Sequence, residues 1–263
     1  AGQTARFPRL SPRILTMFAG TYTALVTPFH KGRVDEGAFQ KLISDQVRGG
    51  VDGIVPVGTT GESPTLGFDE HIRVIELAVR AAKGRVKVLA GTGANATAEA
   101  VHLTQAAEAV GADGSLQVAP YYNKPSQEGL FQHFKKIARA TKLPIILYSI
   151  PGRCNIAIEV PTVQRLAKAC KNIVGIKEAG GDADRVSQLR AAIGQRFTIL
   201  SGDDALTLPF MAVGAEGVIS VASNIIPRQI TRMVNAFTAG NADAALRLHQ
   251  KYYPMFKDLF IET

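Results

Sequence analysis

Few features of this sequence favour an extracellular, metal-binding or membrane protein. It has two cysteines, Cys154 and Cys170, too few for a disulfide framework and compatible with a reducing compartment. No apolar run reaches the roughly 20 residues that a membrane-spanning helix needs. The five histidines lack metal-ligand spacing, and no carboxylates cluster. The sequence therefore predicts no metal, no membrane partner, and a cytoplasmic location (the plastid stroma in a plant).

The net charge of +8 does not indicate a nucleic-acid partner. Three of the positive charges lie within residues 1–16, and the others are interleaved with acids, as in residues 69–73. No basic stripe carries stacking aromatics. The glycine-rich stretches 58–63 and 91–95 lack the Gly-Lys-Ser/Thr of a P-loop, and the second also lacks the third glycine of a dinucleotide fingerprint.

Eight short apolar runs alternate with segments of helical period, which predicts parallel strands joined by crossover helices. Such near-continuous apolar runs are expected where both faces of a sheet are covered. Eight units favour a closed (β/α)8 barrel over an open doubly wound sheet. The runs begin near Tyr22, Gly53, Val86, Gly114, Pro144, Ile173, Phe197 and Gly217.

Three regions follow from this pattern. Residues 1–16 form a basic leader, expected to be disordered or foreign to the native chain, with Met17 as the native start. Residues 17–240 form the barrel, and residues 241–263 a short C-terminal helical extension.

The carboxyl ends of the strands gather candidate site residues, because active sites of such barrels lie at that rim. Lys177 closes the sixth strand, where partial desolvation favours the neutral amine that attacks carbonyls to form a Schiff base. Period-two alternation points Glu178 away from it. Tyr148 closes the neighbouring strand as a candidate proton shuttle. A lysine that extends to solvent, and a tyrosine buried for packing, remain alternatives.

Five stretches give the chain a resemblance to the pyruvate-dependent class I aldolase superfamily, and within it to the dihydrodipicolinate synthase family. The resemblance runs from about Phe18 to Glu262 and rests on residues 57–63, 90–95, 120–123, 175–179 and 200–204. It implies condensation of pyruvate with aspartate-β-semialdehyde to 4-hydroxy-tetrahydrodipicolinate in the diaminopimelate route to lysine. It also implies a homotetramer (a dimer of dimers) or a homodimer.

The resemblance also implies a role for each rim residue. Lys177 would carry the imine with pyruvate, so no separate cofactor is expected, and Tyr148, Thr59 and Tyr122 would relay protons. Tyr122 would reach into a neighbouring subunit's site. Substrate contacts would come from Thr60 on the pyruvate carboxylate, Arg153 on the semialdehyde carboxylate, Gly202, and the carbonyl of Ile219.

Lysine, as an inhibitor, is a further implied partner. Its site would use Ser63, His71, Asn95, Glu99 and Tyr121, whereas Phe68 stands where relatives often have histidine. The stretch 148–155 also departs from the commoner family pattern but retains Arg153. Family members usually continue beyond the position of Thr263, so the C-terminal extension is expected to be short.

Two other functions are weighed against this one. One is a lyase or aldolase for sialic acid or a 2-keto-3-deoxy sugar acid, which would need hydroxyl-binding residues where this chain offers Arg153. The other is an inactive barrel that senses a small molecule, which would be expected to have lost Lys177 or Tyr148.

Overall fold

Eight parallel strands close into a barrel within residues 16–262, the part of the chain that this computed structural model describes. Each strand pairs with the next along the chain, and the eighth pairs with the first. The barrel prediction is therefore confirmed. The strands are β1 (Gly20–Ala24), β2 (Gly53–Val55), β3 (Lys87–Gly91), β4 (Gly114–Val118), β5 (Ile145–Ser149), β6 (Ile173–Glu178), β7 (Thr198–Ser201) and β8 (Gly217–Ser220).

Strand boundaries differ from the predicted ones by one or two residues. β5 continues through Ser149 and β6 through Glu178, each one residue beyond the predicted end. β2 ends at Val55, and two residues later Val57 adopts a φ of 49°, outside the range of a β-strand. A small antiparallel hairpin, Phe29–His30 with Arg33–Val34, follows β1 and was not predicted.

Helices connect the strands and cover the outside of the barrel. Within residues 16–262 they are α1 (Glu36–Gly49), α2 (Phe68–Ala82), α3 (Thr97–Ala109), α4 (Gln127–Arg139), α5 (Pro151–Cys154), α6 (Val160–Ala169), α7 (Ala183–Ile193), α8 (Thr207–Ala212), α9 (Pro227–Thr238) and α10 (Ala242–Asp258). The one-turn helix α5 is the element that carries Arg153.

The interior of the barrel is a packed core rather than a channel. Large apolar side chains from successive strands fill it, and Tyr148 belongs to the same cluster. Further clusters pack the outer faces of the strands against the helices. The rim residues therefore stand on a rigid base. The buried members of the interior cluster include Phe18, Tyr22, Val55, Leu89, Leu116, Ile146, Leu200 and Ile219.

The first and last described segments of the chain flank the barrel. Residues 1–15 of the expected leader lie outside the described residues, but the Thr16 hydroxyl donates to Glu216 and accepts from Thr198 at the barrel's base. The predicted C-terminal helix over 241–263 is α10, whose N-cap Asn241 accepts from the Ala244 amide. In the described part of the chain, no helix has both the length and the apolar character to cross a membrane.

Candidate active site

Lys177 is enclosed at the end of β6 and rests on an aromatic ring. Its side chain is 6% exposed, and Nζ lies 4.1 Å from the centroid of the Tyr148 ring. The strand register pairs Tyr148 directly with Lys177, so the two side chains leave the same face of the sheet. The structure thus brings together the amine and the phenol-bearing residue that the sequence singled out.

Glu178 points to the opposite face of the sheet, as alternation predicts. It is fully buried, accepts from the Gly180 amide, and forms an ion pair with Arg185 at 2.7 Å. Burial raises the pKa of the Glu178 carboxyl, and Arg185 opposes that shift. The Arg185 guanidinium also donates to the carbonyl of Ile158. The charge beside Lys177 in sequence is therefore already partnered on the far side of the strand.

A cavity of about 240 Å³ opens beside Tyr148, between the loops that follow β2, β3, β4 and β5. Among the described residues, Lys177 and Thr60 do not belong to its lining. Its lining is mostly apolar, with a few polar groups converging from different strands, as expected for a small-molecule site. Predicted site residues in the wall are Thr59, Tyr148 and Arg153, with Ser63 and Tyr121 on one side. Other lining residues are Val57, Gly58, Pro64, Gly91, Gly93, Leu116, Val118, Ile150 and Cys154.

The loop after β2 is held in an unusual conformation. Val57 is buried although its φ of 49° lies in the left-handed region, where a β-branched residue is strained. Its carbonyl oxygen approaches β3 so closely that a Cβ on Gly91 would stand 2.3 Å away. This contact requires glycine at position 91. The strained turn places Thr59 and Thr60 in a 3₁₀ turn at the rim.

Arg153 reaches the cavity from α5. Proline at the first position of this turn and the left-handed Asn155 after it delimit the helix. The buried Cys154 thiol donates to the carbonyl of Ala119, which fixes α5 against the end of β4. Burial raises the pKa of Cys154 to about 11, so the thiol stays protonated at neutral pH. Cys154 was not singled out from the sequence, because only its neighbours in space give it this role.

Three further predicted residues lie at different places: Gly202 is next to Lys177, Ile219 is in the barrel interior, and Tyr122 is at the surface. A Cβ on Gly202 would lie 3.0 Å from Lys177 Cε, so Gly202 packs against the lysine chain. Ile219 is buried in β8 within the interior cluster. Tyr122 is different: it is 90% exposed, has a φ of 73°, and does not line the cavity.

Four of the five predicted lysine-site residues line a second, smaller cavity of about 50 Å³. They are Ser63, His71, Glu99 and Tyr121, and Phe68 forms part of the same wall. His71 is buried, its Nε2 lies 2.8 Å from the Gly91 carbonyl, and burial lowers its pKa.

The fifth predicted residue, Asn95, does not belong to this lining. Its carbonyl accepts from the Asn123 side chain instead, so the backbone of Asn95 connects the loops after β3 and β4.

Comparison with known proteins shows which proteins this chain is similar to. The chain is 54% identical over 247 residues to a 4-hydroxy-tetrahydrodipicolinate synthase of Endomicrobium trichonymphae, a match that covers 94% of this chain and 84% of that protein. The solved synthase of the same name from Methylacidiphilum fumariolicum superimposes with a TM-score of 0.93 at 57% identity, covering 94% of this chain and 82% of that one.

A third relative is a Cyanidioschyzon merolae protein whose crystal structure contains lysine. It matches with a TM-score of 0.92 at 42% identity, covering 95% of this chain and 85% of that one. The model of the dihydrodipicolinate synthetase family matches residues 17–263. With this extent of similarity, the chain belongs to the dihydrodipicolinate synthetase family.

Proposed function

We propose that this protein condenses pyruvate with aspartate-β-semialdehyde through an imine on Lys177, giving 4-hydroxy-tetrahydrodipicolinate. The observation that carries the proposal is a buried lysine whose Nζ lies over the ring of Tyr148, a residue that lines one cavity together with Arg153. A lysine amine is a group that adds to a ketone to form a Schiff base. The relatives named for this activity support the choice of substrates.

The reaction begins when Lys177 Nζ attacks the ketone carbon of pyruvate and water leaves, which forms the imine. Loss of a methyl proton to the relay of Tyr148 and Thr59 gives an enamine. The amides of Gly61, Glu62 and Ser63 are bonded within the loop after β2. The family resemblance assigns the contacts with the pyruvate carboxylate to Thr59 and Thr60, which lie in this loop. The same resemblance assigns the carbonyl of Ile219, a buried residue of β8, a contact near the imine.

The enamine carbon then attacks the aldehyde carbon of the second substrate, and its oxygen takes up a proton. The amine of that substrate attacks the imine carbon, closes the ring, and displaces Lys177 as a free amine. Every electron pair comes from pyruvate, the lysine or the second substrate, so the chemistry needs no added cofactor. The protein supplies an enclosed amine, two carboxylate contacts and a proton path.

The test is to trap the imine. The protein is incubated with pyruvate, reduced with borohydride, digested and mapped by mass spectrometry. An adduct on Lys177, together with turnover that requires the semialdehyde, supports the proposal. No adduct, or an adduct confined to another lysine, contradicts it.

Arg153 separates this function from that of a sugar-acid or sialic-acid lyase. Replacing Arg153 with Ala is expected to raise KM for the semialdehyde about 10- to 100-fold, because a hydrogen bond to a charged group contributes roughly 1.5–3 kcal/mol. The trapped pyruvate adduct should form as in the unmodified protein. Steady-state kinetics with each substrate varied in turn measure the effect.

Arg80→Ala is the matched control, since Arg80 pairs with Glu76 on the outer surface of α2. An unchanged KM for the semialdehyde in Arg153→Ala would show that Arg153 does not bind the carboxylate of this substrate.

We also propose that lysine binds in the smaller cavity and inhibits. Glu99 gives that cavity a carboxylate for the ligand's ammonium group, and Ser63 and Tyr121 give it hydroxyls. Titration calorimetry is expected to show saturable lysine binding that Glu99→Gln weakens about tenfold or more, since an ionic hydrogen bond is lost. Glu159→Gln, on the exposed N-cap of α6, is the control. The absence of binding heat, with kinetics insensitive to millimolar lysine, would contradict this proposal.

Assembly is proposed on the exposure of Tyr122. A large aromatic side chain that is 90% exposed on a left-handed backbone is typical of a residue held for contact with another chain. We infer a homodimer or a homotetramer in which Tyr122 enters the site of the partner subunit. Sedimentation velocity on the native protein and on Tyr122→Ser tests this, since the variant should dissociate more readily and turn over more slowly.

A further inference from the structure

The barrel has a sparsely paired seam beside the lysine-bearing strand. Within residues 16–262, β7 and β8 share one paired position, Ser201 with Val218. β6 and β7 share four paired positions, as do β8 and β1. Lys177 is paired with Leu200 on β7 and therefore stands one strand away from this seam. Side-chain bonds beyond the ends of these two strands add to this short ladder.

The carboxylate of Asp204 spans the seam. Asp204 follows β7 and is 2% exposed. One of its oxygens accepts from the Ser220 hydroxyl at 2.5 Å, and the other accepts from the amides of Val221 and Ala222 at 2.9 and 3.0 Å. All three donors lie at or just after the end of β8. A single buried carboxylate thus ties the loop after β7 to the loop after β8.

The connection continues from the loop after β8 to β1. The Ser220 hydroxyl also accepts from the amide of Ser223. Next to it, the Asn224 side chain donates to the carbonyl of Ala24 at 2.7 Å and accepts from the amide of Val26. The rim from β7 to β1 is therefore joined by side-chain bonds where the strand ladder is thin.

The same loop touches the lysine directly. The amide of Gly202 donates to the carbonyl of Glu178 at 2.8 Å, which places the Gly202 backbone against the Lys177 side chain. Gly202 precedes Asp204 by two residues. A displacement of Asp204 would therefore move the surface on which the lysine chain rests. Such shifts cost rate, since a misplacement of about 1 Å at a reacting group lowers turnover about 100-fold.

We propose that Asp204 is a positioning residue for the imine chemistry of Lys177. It holds Gly202 against the lysine and fixes the end of β8, where Ile219 lies, without touching substrate. This rests on the proposed function, because it assigns Asp204 a part in the same reaction. Three donors converge on the two carboxylate oxygens, so an amide or a shorter side chain at this position would lose part of this set.

The test compares Asp204→Asn with Ser220→Ala and with the control Asp184→Asn. Asp184 is exposed near the start of α7, and within residues 16–262 its carboxylate accepts a hydrogen bond from Gln188. Asp204→Asn keeps the shape but removes the charge and the acceptor that faces the Ser220 hydroxyl, and is expected to lower kcat and the single-turnover rate of borohydride-trapped imine formation about 10- to 100-fold. KM for pyruvate should stay within about twofold, since the carboxylate contacts of Thr59 and Thr60 are retained.

Ser220→Ala removes one of the three bonds and leaves the two from backbone amides. It is expected to lower both rates by a smaller factor, about three- to tenfold. Circular dichroism and thermal melting establish that each variant is folded at the assay temperature. If Asp204→Asn does not fold, the rates of Ser220→Ala decide the question.

The proposal is overturned if a folded variant of Asp204, or Ser220→Ala in its place, traps pyruvate at the rate of the unmodified protein. It is also overturned if KM for pyruvate rises while kcat is unchanged, because that would indicate a binding role. Failure of the unmodified protein to form any adduct would instead refute the proposed function, so the two failures are distinguishable.

Discussion

Replacing Lys177 with Arg is expected to abolish the condensation. Arginine keeps the positive charge and most of the length, but its guanidinium does not form an imine with a ketone. Turnover should fall about 10⁴-fold or more, in the range seen when an enzyme loses its covalent nucleophile. The borohydride-trapped pyruvate adduct should disappear with it, which intact-protein mass spectrometry measures directly.

Lys168→Arg is the matched control, since Lys168 is exposed in α6 and remote from the rim. It should retain both the adduct and the rate. A Lys177→Arg protein that still forms a stoichiometric adduct, or that turns over within tenfold of the unmodified protein, would show that another lysine carries the chemistry.

Tyr148→Phe is expected to have the second largest effect. The substitution retains the ring on which Lys177 Nζ rests, at 4.1 Å from its centroid, and removes only the hydroxyl. Loss of a positioned proton donor typically lowers rates about 10²- to 10⁴-fold. We expect kcat to fall in that range and imine formation to slow as well, because both imine and enamine steps transfer protons. Rapid-quench trapping separates these steps.

Tyr252→Phe, in α10, removes a phenol far from the rim and serves as the control. If Tyr148→Phe kept its kcat while KM for pyruvate rose, Tyr148 would be a binding residue. A water or another hydroxyl would then carry the proton.

The barrel was predictable because its signal is repetitive. Eight apolar runs at similar spacing leave little choice of topology, and parallel strands must then present their carboxyl ends on one rim. The pairing of Tyr148 with Lys177 follows from that topology, since both residues stand at the ends of neighbouring strands. The opposite direction of Glu178 follows from alternation alone. These are local rules applied to consecutive units.

What escaped prediction depends on contacts between distant residues. The residues next to Val57 in the sequence do not indicate its positive φ. In the structure, Gly91 on β3 leaves space for the Val57 carbonyl. The bonds that Asp204 accepts come from residues 16 to 18 positions later in the chain. The Arg185 partner of Glu178 lies on the following helix. Sequence periodicity places a residue on a face of the sheet but does not select its partner there.

The two cavities share part of their walls. Ser63, Pro64, Gly93 and Tyr121 border both the larger space beside Tyr148 and the smaller one that contains Glu99. A ligand in either cavity would therefore contact residues that a ligand in the other cavity also contacts. Binding free energies of two coupled ligands are reciprocal. An effector in the smaller cavity must therefore change the affinity for pyruvate by the same factor by which pyruvate changes the affinity for that effector.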